Sequence, residues 1–377
     1  MSLSRRQFLS ASVASATTVP FSLASGIDSC EAATDMPFDL SMGFPADAIR
    51  LNYNENTLGP SPKAVAGATA AIQESYRYAL GGLLKPYIAE YHGIDKDWVL
   101  MGTGSTELLR LTPIAHARDG GNVVTAHETW GGMLTVAENM GLTIKRLNLL
   151  KDKGYAFDVE GMLAAVDTRT RILLVVTPNN PTGTTLSYAE MKHIADSLPD
   201  GVLFVLDQAY ADYEKNGRSG IDLLKDGYNN VLVTRTFSKA YALAGLRCGY
   251  GLAHPDILKE IRKFGCGPAS TNMAGYGAIL GSLDDAEHAA RSRSYVQQTR
   301  AYYEQQFHDL GLAVISGPPP FILVELRERA QPVYDELRRQ NIFITHGKSW
   351  NLPDHLRISY GREHENQAFF AALKTIL

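Results

Sequence analysis

Two five-residue apolar runs constrain the fold more than any other feature of this chain. They are Ile172-Leu173-Leu174-Val175-Val176 and Val202-Leu203-Phe204-Val205-Leu206. A strand with one face in water alternates apolar and polar residues, so a strand that is apolar throughout has to be covered on both faces. Similar short runs recur along the chain. They predict strands at 99–101, 122–126, 143–147, 171–177, 202–207, 231–234 and 248–252. Helical patterns at 105–116, 130–140, 158–166 and 187–197 lie between them. Strands alternating with helices predict an α/β fold with a mostly parallel, seven-stranded sheet under helices.

Beyond His254 the pattern changes. Helices are expected at 254–264, 271–281 and 285–310. After Gly317-Pro318-Pro319-Pro320 come a strand at 321–325, a helix at 331–340, a strand at 356–359 and a last helix from His364. This predicts a large domain over 63–270 and a smaller α+β C-terminal domain over 271–377. Residues 34–62, rich in Asn, Pro and Gly, are expected to form an extended arm. A chain of 377 residues, 45% of them hydrophobic, is long enough for two such lobes.

The N-terminus has its own logic. Ser4-Arg5-Arg6-Gln7-Phe8-Leu9 is a twin-arginine pair followed by an apolar pair. A stretch rich in Ala, Ser, Thr and Val runs on to Ala24, and Ser22 and Ala24 offer small residues for cleavage. This predicts a Tat-type signal within residues 1–33, hence a protein that engages the Tat export machinery and is periplasmic or secreted. No apolar run reaches the roughly 20 residues that span a bilayer, so no stable membrane anchor is expected. A net charge of −4 gives no basic footprint for nucleic acid. Three cysteines (Cys30, Cys248, Cys266) make no disulfide framework. The histidines lack metal-ligand spacing, and no metal is expected.

Chemistry-bearing residues sit at the ends of the expected strands. Gly102-Thr103-Gly104-Ser105-Thr106-Glu107 leaves a strand and opens a helix. Such a turn suits a phosphate, a dinucleotide with Glu128 as its ribose acid, or a plain helix cap. Pro178-Asn179-Asn180-Pro181-Thr182-Gly183 is either a turn or a ligand loop. Asp207, which closes a buried strand, needs a cationic partner or caps a helix. Trp130 is a packing residue or a platform for a ring. Arg357 is an edge-strand surface residue or a clamp for a carboxylate. In Thr236–Tyr250, TFSKAYALAGLRCGY, Lys239 and Arg247 lie among small and apolar residues. A cation there either snorkels to water or is neutralised by something bound.

In their order along the chain, these motifs resemble fold type I pyridoxal-phosphate enzymes of the class I/II aminotransferase family, and most of all the histidinol-phosphate aminotransferases. The resemblance runs from LNYNENTLGPSP at Leu51 to the C-terminus. SKAYALAGLRCGY and PNNPTG are its most specific parts. It implies pyridoxal 5′-phosphate as cofactor, with Lys239 as the lysine that carries it. It implies Asp207 beside the pyridine nitrogen, Tyr210 and Asn180 at the ring 3-oxygen, and Trp130 stacked on the ring. Ser105, Thr106, Thr236, Ser238 and Arg247 would hold the phosphate. Arg357, with Asn180, would receive the substrate's carboxylate. Tyr78, after Arg77, would reach the phosphate of a partner subunit, making the unit a homodimer.

The implied reaction moves an amino group between an L-amino acid, or a histidinol-phosphate-like amine, and a 2-oxo acid. A racemase, decarboxylase or oxidase could use the same scaffold. The glycine turn alone leaves a nicotinamide-dependent dehydrogenase or a non-catalytic binding protein as a competing reading. The chain departs from the family pattern at three places. Ala79-Leu80-Gly81-Gly82 follows Arg77-Tyr78, Gln208 follows Asp207, and Ile344-Thr345-His346 stands where relatives often carry Val-Arg.

Overall fold

The computed structural model describes residues 41–214, 217–265, 267 and 271–377. The expected export signal, Cys30 and Cys266 lie outside them. Of an N-terminal unit, residues 1–46, only the bends and turns of 41–46 are described. The second unit, Asp47–Leu377, carries the sheets.

In chain order its strands are β1 (Ile49–Arg50), β2 (Val99–Thr103), β3 (Asn122–Ala126), β4 (Thr143–Leu147), β5 (Thr170–Val176), β6 (Leu203–Asp207), β7 (Val231–Thr236) and β8 (Cys248–Ala253). The later strands are β9 (Val314–Ile315), β10 (Phe321–Glu325), β11 (Ile342–Phe343), β12 (Thr345–His346) and β13 (His355–Ser359). The helices used below are α1 (Pro62–Ile72), α2 (Lys85–His92), α3 (Ser105–His116), α4 (Leu134–Asn139), α5 (Val159–Ala164), α6 (Tyr188–Ser197), α7 (Gly220–Lys225), α8 (Pro255–Arg262) and α9 (Met273–Leu283). The C-terminal ones are α10 (Ala286–Asp309), α11 (Ala330–Arg339) and α12 (Glu363–Ile376).

Seven strands form the main sheet in the order β2-β8-β7-β6-β5-β3-β4. Strand β8 runs antiparallel to both its neighbours, and the other pairings are parallel. The apolar runs behave as their composition demands. Ile172, Leu174, Leu203, Val205 and Leu232 enter one core cluster, with Leu108 of α3 and Leu258 of α8. Leu173, Val175, Phe204, Leu206, Val231 and Val233 enter the other, with Met162 of α5 and Met191 of α6. Successive residues thus point to opposite faces and both faces are dry. Each such side chain contributes about 1.5–3 kcal/mol of burial.

Local signals set several helix ends. Ser187 and Glu190 form a reciprocal capping box at α6. Ser61 caps α1, whose first residue is Pro62. Gly93 ends α2 in the left-handed conformation. Helix α1 packs on α9 at glycines. A Cβ on Gly67 would lie 2.2 Å from the carbonyl oxygen of Gly277, so the backbones themselves touch.

The smaller C-terminal layer is an antiparallel sheet in the order β12-β13-β10-β9. Strand β13 is interior, so Arg357 is not on an edge, and it is buried. Strand β1 pairs with β11 in parallel and brings the arm back across this layer. The helix expected from residue 130 starts only at Leu134, and Trp130 stands just ahead of the turn at 132–133 that leads into it.

Candidate active site

The site forms where the main sheet's parallel strands end. Asp207 is the last residue of β6, Thr236 the last of β7, and Ser105 opens α3 two residues after β2. Because β8 is antiparallel, its first residues lie at the same edge, which brings in Arg247 from the turn before it. A cavity of about 150 Å³ opens there. It is lined by Ser105, Thr106, Trp130, Asn180, Asp207, Tyr210, Thr236, Ser238, Lys239 and Arg247, with Val176 and Ala209. Ten of the twelve candidate residues thus meet in one pocket. The other two are Arg357, which joins it through Asn180, and Tyr78, which stands apart.

One end of the pocket is built for an anion. Helix α3 begins with Gly104 as its cap residue, and no side chain caps it, so its first N–H groups stay available. Arg247 adopts φ +51° and lays its guanidinium over Gly104, with Nη1 donating to the carbonyl of Ala244 at 3.0 Å. A Cβ on Gly104 would lie 2.5 Å from Arg247 Nη2, and one on Gly249 would lie 2.2 Å from Ser105 N. Gly249 is therefore required by close approach to backbone, and Gly104 by its φ of +73°. The Thr236 hydroxyl donates to Ser238 Oγ at 2.9 Å. Glu107, which stands at the third position of a would-be dinucleotide fingerprint, instead accepts the Thr103 N–H at 2.6 Å. Glu128 accepts the Leu149 N–H at 2.8 Å, is buried, and does not line the pocket. The dinucleotide reading has no geometry behind it.

The middle of the pocket holds a carboxylate and an amine. Asp207 is buried and accepts from the Thr234 hydroxyl at 3.1 Å. It caps no helix, since the short turn that follows is capped by Tyr210. Burial pushes its carboxyl up to about 6, against the opposing pull of Thr234, the Ala209 N–H and the Lys239 charge. Lys239 Nζ donates to the carbonyls of Tyr53 at 2.8 Å and Asn54 at 3.3 Å. Burial, then the positive charges of Arg357 and Arg247, bring its ammonium down to about 8, with Glu55 and Asp207 opposing.

The other end holds a guanidinium that touches no carboxylate among the described residues. Arg357 Nη1 donates to Asn180 Oδ1 at 2.6 Å, and Nη2 donates to the Asn52 carbonyl and to Thr345 Oγ1 at 3.0 Å. The Trp350 and Phe321 rings lie 4.9 and 5.4 Å from its central carbon. Its Nε is buried without a partner among the described residues, and burial brings the group down to about 10. A cation in this setting calls for an anion from outside the chain.

The loop between β5 and α6 is more than a turn. Asn179 ties it down, donating to the Glu128 carbonyl and to Thr182 Oγ1, both at 2.8 Å, and accepting from the Thr129 hydroxyl at 2.6 Å. This leaves the next residue, Asn180, free to face the cavity and Arg357. Thr345, at one of the three departures from the family pattern, contacts Arg357 directly. Asn52, Tyr53 and Asn54 also reach the site. Their only sequence signal was their place in LNYNENTLGPSP.

Residues 46–373 match the family described as aminotransferase class I and II. The chain belongs to that family. This aminotransferase is 35% identical to a histidinol-phosphate aminotransferase of Symbiobacterium thermophilum over 333 residues, which cover 88% of this chain and 91% of the relative. It is 36% identical to histidinol-phosphate aminotransferase 2 of Pseudomonas fluorescens Pf-5 over 340 residues, 88% of this chain and 90% of the other. Its fold superposes on the crystal structure of histidinol-phosphate aminotransferase from Sinorhizobium meliloti in complex with pyridoxal 5′-phosphate. The TM-score is 0.80 at 25% identity, over 87% of this chain and 90% of that one. The aminotransferase therefore has a fold type I architecture, a large domain with a mostly parallel seven-stranded sheet and a smaller C-terminal domain.

Proposed function

We propose that this pyridoxal-phosphate-dependent aminotransferase moves an amino group between an L-amino acid, or a histidinol-phosphate-like amine, and a 2-oxo acid, using Lys239 as its central residue. One observation carries the reading: Lys239, the buried carboxylate of Asp207 and the Arg247–Ser105 anion cradle share a single cavity, with Arg357 at its border. These groups fit pyridoxal 5′-phosphate. The cradle matches its phosphate, a buried carboxylate with no ion-pair partner among the described residues matches its ring nitrogen, and an amine of lowered basicity matches its aldehyde.

When bound, pyridoxal 5′-phosphate supplies an electron sink that stabilises the carbanion left as the substrate's Cα proton departs. The chain supplies the rest. Ser105, Thr106, Thr236, Ser238 and Arg247 would hold the phosphate, and Trp130 would pack beside the ring. Asp207 would hold a proton on the ring nitrogen by its negative charge. Asn180 and Tyr210 would hydrogen-bond the 3-oxygen. Arg357, backed by Asn180 and Thr345, fixes the substrate's anionic end. Lys239 Nζ, poised near neutrality, takes the Cα proton as a general base.

Spectra of the single half-reaction, run across a panel of amino donors, test the reading. A productive donor converts the aldehyde form of the cofactor to its amino form in one turnover. Carbon dioxide release, or racemisation without an oxo acid, would instead favour a decarboxylase or racemase. A Lys239→Ala protein that still turned donors over would sink the assignment of the lysine.

The active unit is a homodimer. Tyr78 is 85% exposed on a single chain, and Tyr76, Leu80 and Leu83 are exposed near it. That apolar patch supports Tyr78 reaching across to the partner's phosphate. Sedimentation of the holoenzyme as a monomer would refute it. The twin-arginine segment supports export through the Tat machinery to the periplasm or beyond. Fusing residues 1–33 to a reporter should export it, and Arg5→Lys with Arg6→Lys should stop it.

A further inference from the structure

We infer that Asn54 is a positioning residue that sets the direction of the Tyr210 hydroxyl; the inference rests on the cofactor reading above. Asn54 is 2% exposed and adopts φ +54°, a conformation that Asn tolerates better than most residues. Its Nδ2 donates to Tyr210 Oη at 2.9 Å. The other end of the amide is fixed by Ser359. Ser359 Oγ accepts the Asn54 N–H at 2.9 Å and gives its one proton to Asn54 Oδ1 at 2.8 Å. With Oδ1 so engaged, the amide can only donate toward Tyr210. Tyr210 Oη has one proton of its own, and the bond from Asn54 leaves that proton unspent. It is available to a group inside the cavity.

The same residue touches a second reacting group, because its carbonyl takes a hydrogen bond from Lys239 Nζ. Its anchor, Ser359, lies two residues from Arg357 on β13. Asn54 therefore sits between the lysine, the tyrosine and the strand that carries the arginine. The ring of Tyr210 is itself fixed by edge-to-face packing on Phe321 at 5.3 Å. Only the hydroxyl's hydrogen direction is left to choose, and Asn54 makes that choice.

Two variants separate the donor from the shape. Asn54→Gly removes the side chain and keeps the positive φ without strain. Asn54→Asp keeps the shape and replaces the donor by an acceptor, so Tyr210 must spend its proton on the introduced carboxylate. The readout is the pH midpoint of the visible absorption change of the holoenzyme without substrate. A hydroxyl donating to the cofactor's oxygen favours its ionised form, so losing that donation raises the midpoint. Asn54→Gly should raise it by about half a unit to one unit. Asn54→Asp and Tyr210→Phe should raise it at least as far. In a Tyr210→Phe background, Asn54→Gly should add nothing further. A wild-type midpoint in both Asn54 variants overturns the proposal, as does a full Asn54→Gly shift in the Tyr210→Phe background. If the glycine variant does not fold, the aspartate variant decides through the Tyr210→Phe background: the part of its shift that comes from the Tyr210 hydroxyl should vanish there, leaving only the effect of the added charge. Should wild-type protein form no borohydride-sensitive visible band with pyridoxal 5′-phosphate, the cofactor reading falls and takes this inference with it; a normal wild-type band beside unshifted variants refutes Asn54 only.

Discussion

Replacing Asp207 by asparagine should stabilise the cofactor-free protein while crippling the enzyme. Asp207 is buried at the end of β6, opposite Thr234 on β7. Its carboxyl lies near 6 in the folded chain against 3.8 as the reference value. The folded state then binds more protons than the unfolded state between those values, so stability falls as pH rises through the window and stays low above it. A displacement of about 2 units corresponds to roughly 3 kcal/mol, lost in full at pH 8 and regained by about pH 4. Asparagine carries no charge and keeps a carbonyl oxygen for Thr234. Urea unfolding of the cofactor-free proteins at pH 8, 7, 6 and 5 measures the difference. The variant should exceed wild type by up to about 3 kcal/mol at pH 8, with the gap closing toward pH 5. Pyridoxal 5′-phosphate should narrow the gap, because it binds the native state of the wild type with the intact ring-nitrogen partner. A variant no more stable than wild type at pH 8 would show that Thr234 and the Ala209 N–H already satisfy the carboxylate, and the reasoning would fail.

Other outcomes follow from the same geometry. Acylation of Lys239 in cofactor-free protein, followed by mass spectrometry across pH, should reach half its maximal rate near pH 8; a midpoint above 10 would mean that the amine is not held in dry surroundings. Arg357→Lys keeps a charge but loses the planar fork bonded to Asn180 and Thr345. Its kcat/KM for a carboxylate-bearing donor should fall about 100-fold, and a loss under threefold would remove Arg357 from the substrate site. Gly104→Ala meets both a φ of +73° and the Arg247 guanidinium. Its dissociation constant for pyridoxal 5′-phosphate, from fluorescence quenching, should rise at least about tenfold, and wild-type affinity would show the cradle to be more pliable than its contacts imply.

Strands were legible where burial on both faces left no polar residue to blur them. The ends of β3, β5, β6 and β7 could be placed within a residue or two, and with them Asp207, Asn180 and Thr236. Lys239 was legible because an ammonium in so apolar a run demands an explanation. Other features depended on chain segments far apart. Asn54 and its partners Tyr210 and Ser359 lie 156 and 305 positions apart in sequence, and no local pattern announces the link. The interior place of β13 depends on the two-residue strand β12, too short to carry a period. Helices α1 and α9 meet at glycines, so their contact face lacks the large apolar stripe by which a buried helix face is recognised in sequence. The helical pattern that begins at Trp130 hides a close contact. Gly132 lies against the tryptophan ring so closely that a Cβ there would come within 2.0 Å. A larger side chain at 132 would collide with the ring, so the tryptophan needs that gap.

The three strained groups of the site act together. Burial raises the Asp207 carboxyl, lowers the Lys239 ammonium and lowers the Arg357 guanidinium, so each is pushed toward its neutral form by the same dry walls. The cost of charged Asp207 is complete only above about pH 6. The cost of charged Lys239 is complete only below about pH 8, and it is relieved as pH rises through 8 toward 10.5. Both costs are therefore present together only between those values. On the proposed roles, each would be offset by a different part of what binds: a ring N–H for Asp207, loss of the ammonium charge for Lys239, a substrate anion for Arg357. Binding energy in this pocket is thus stored beforehand as destabilisation of the fold, and the near-neutral window is where the stabilisation gained on loading should be largest. A loading-induced rise in melting temperature that grew steadily from pH 5 to pH 10, with no maximum between, would show that the lysine and the aspartate do not share that burden.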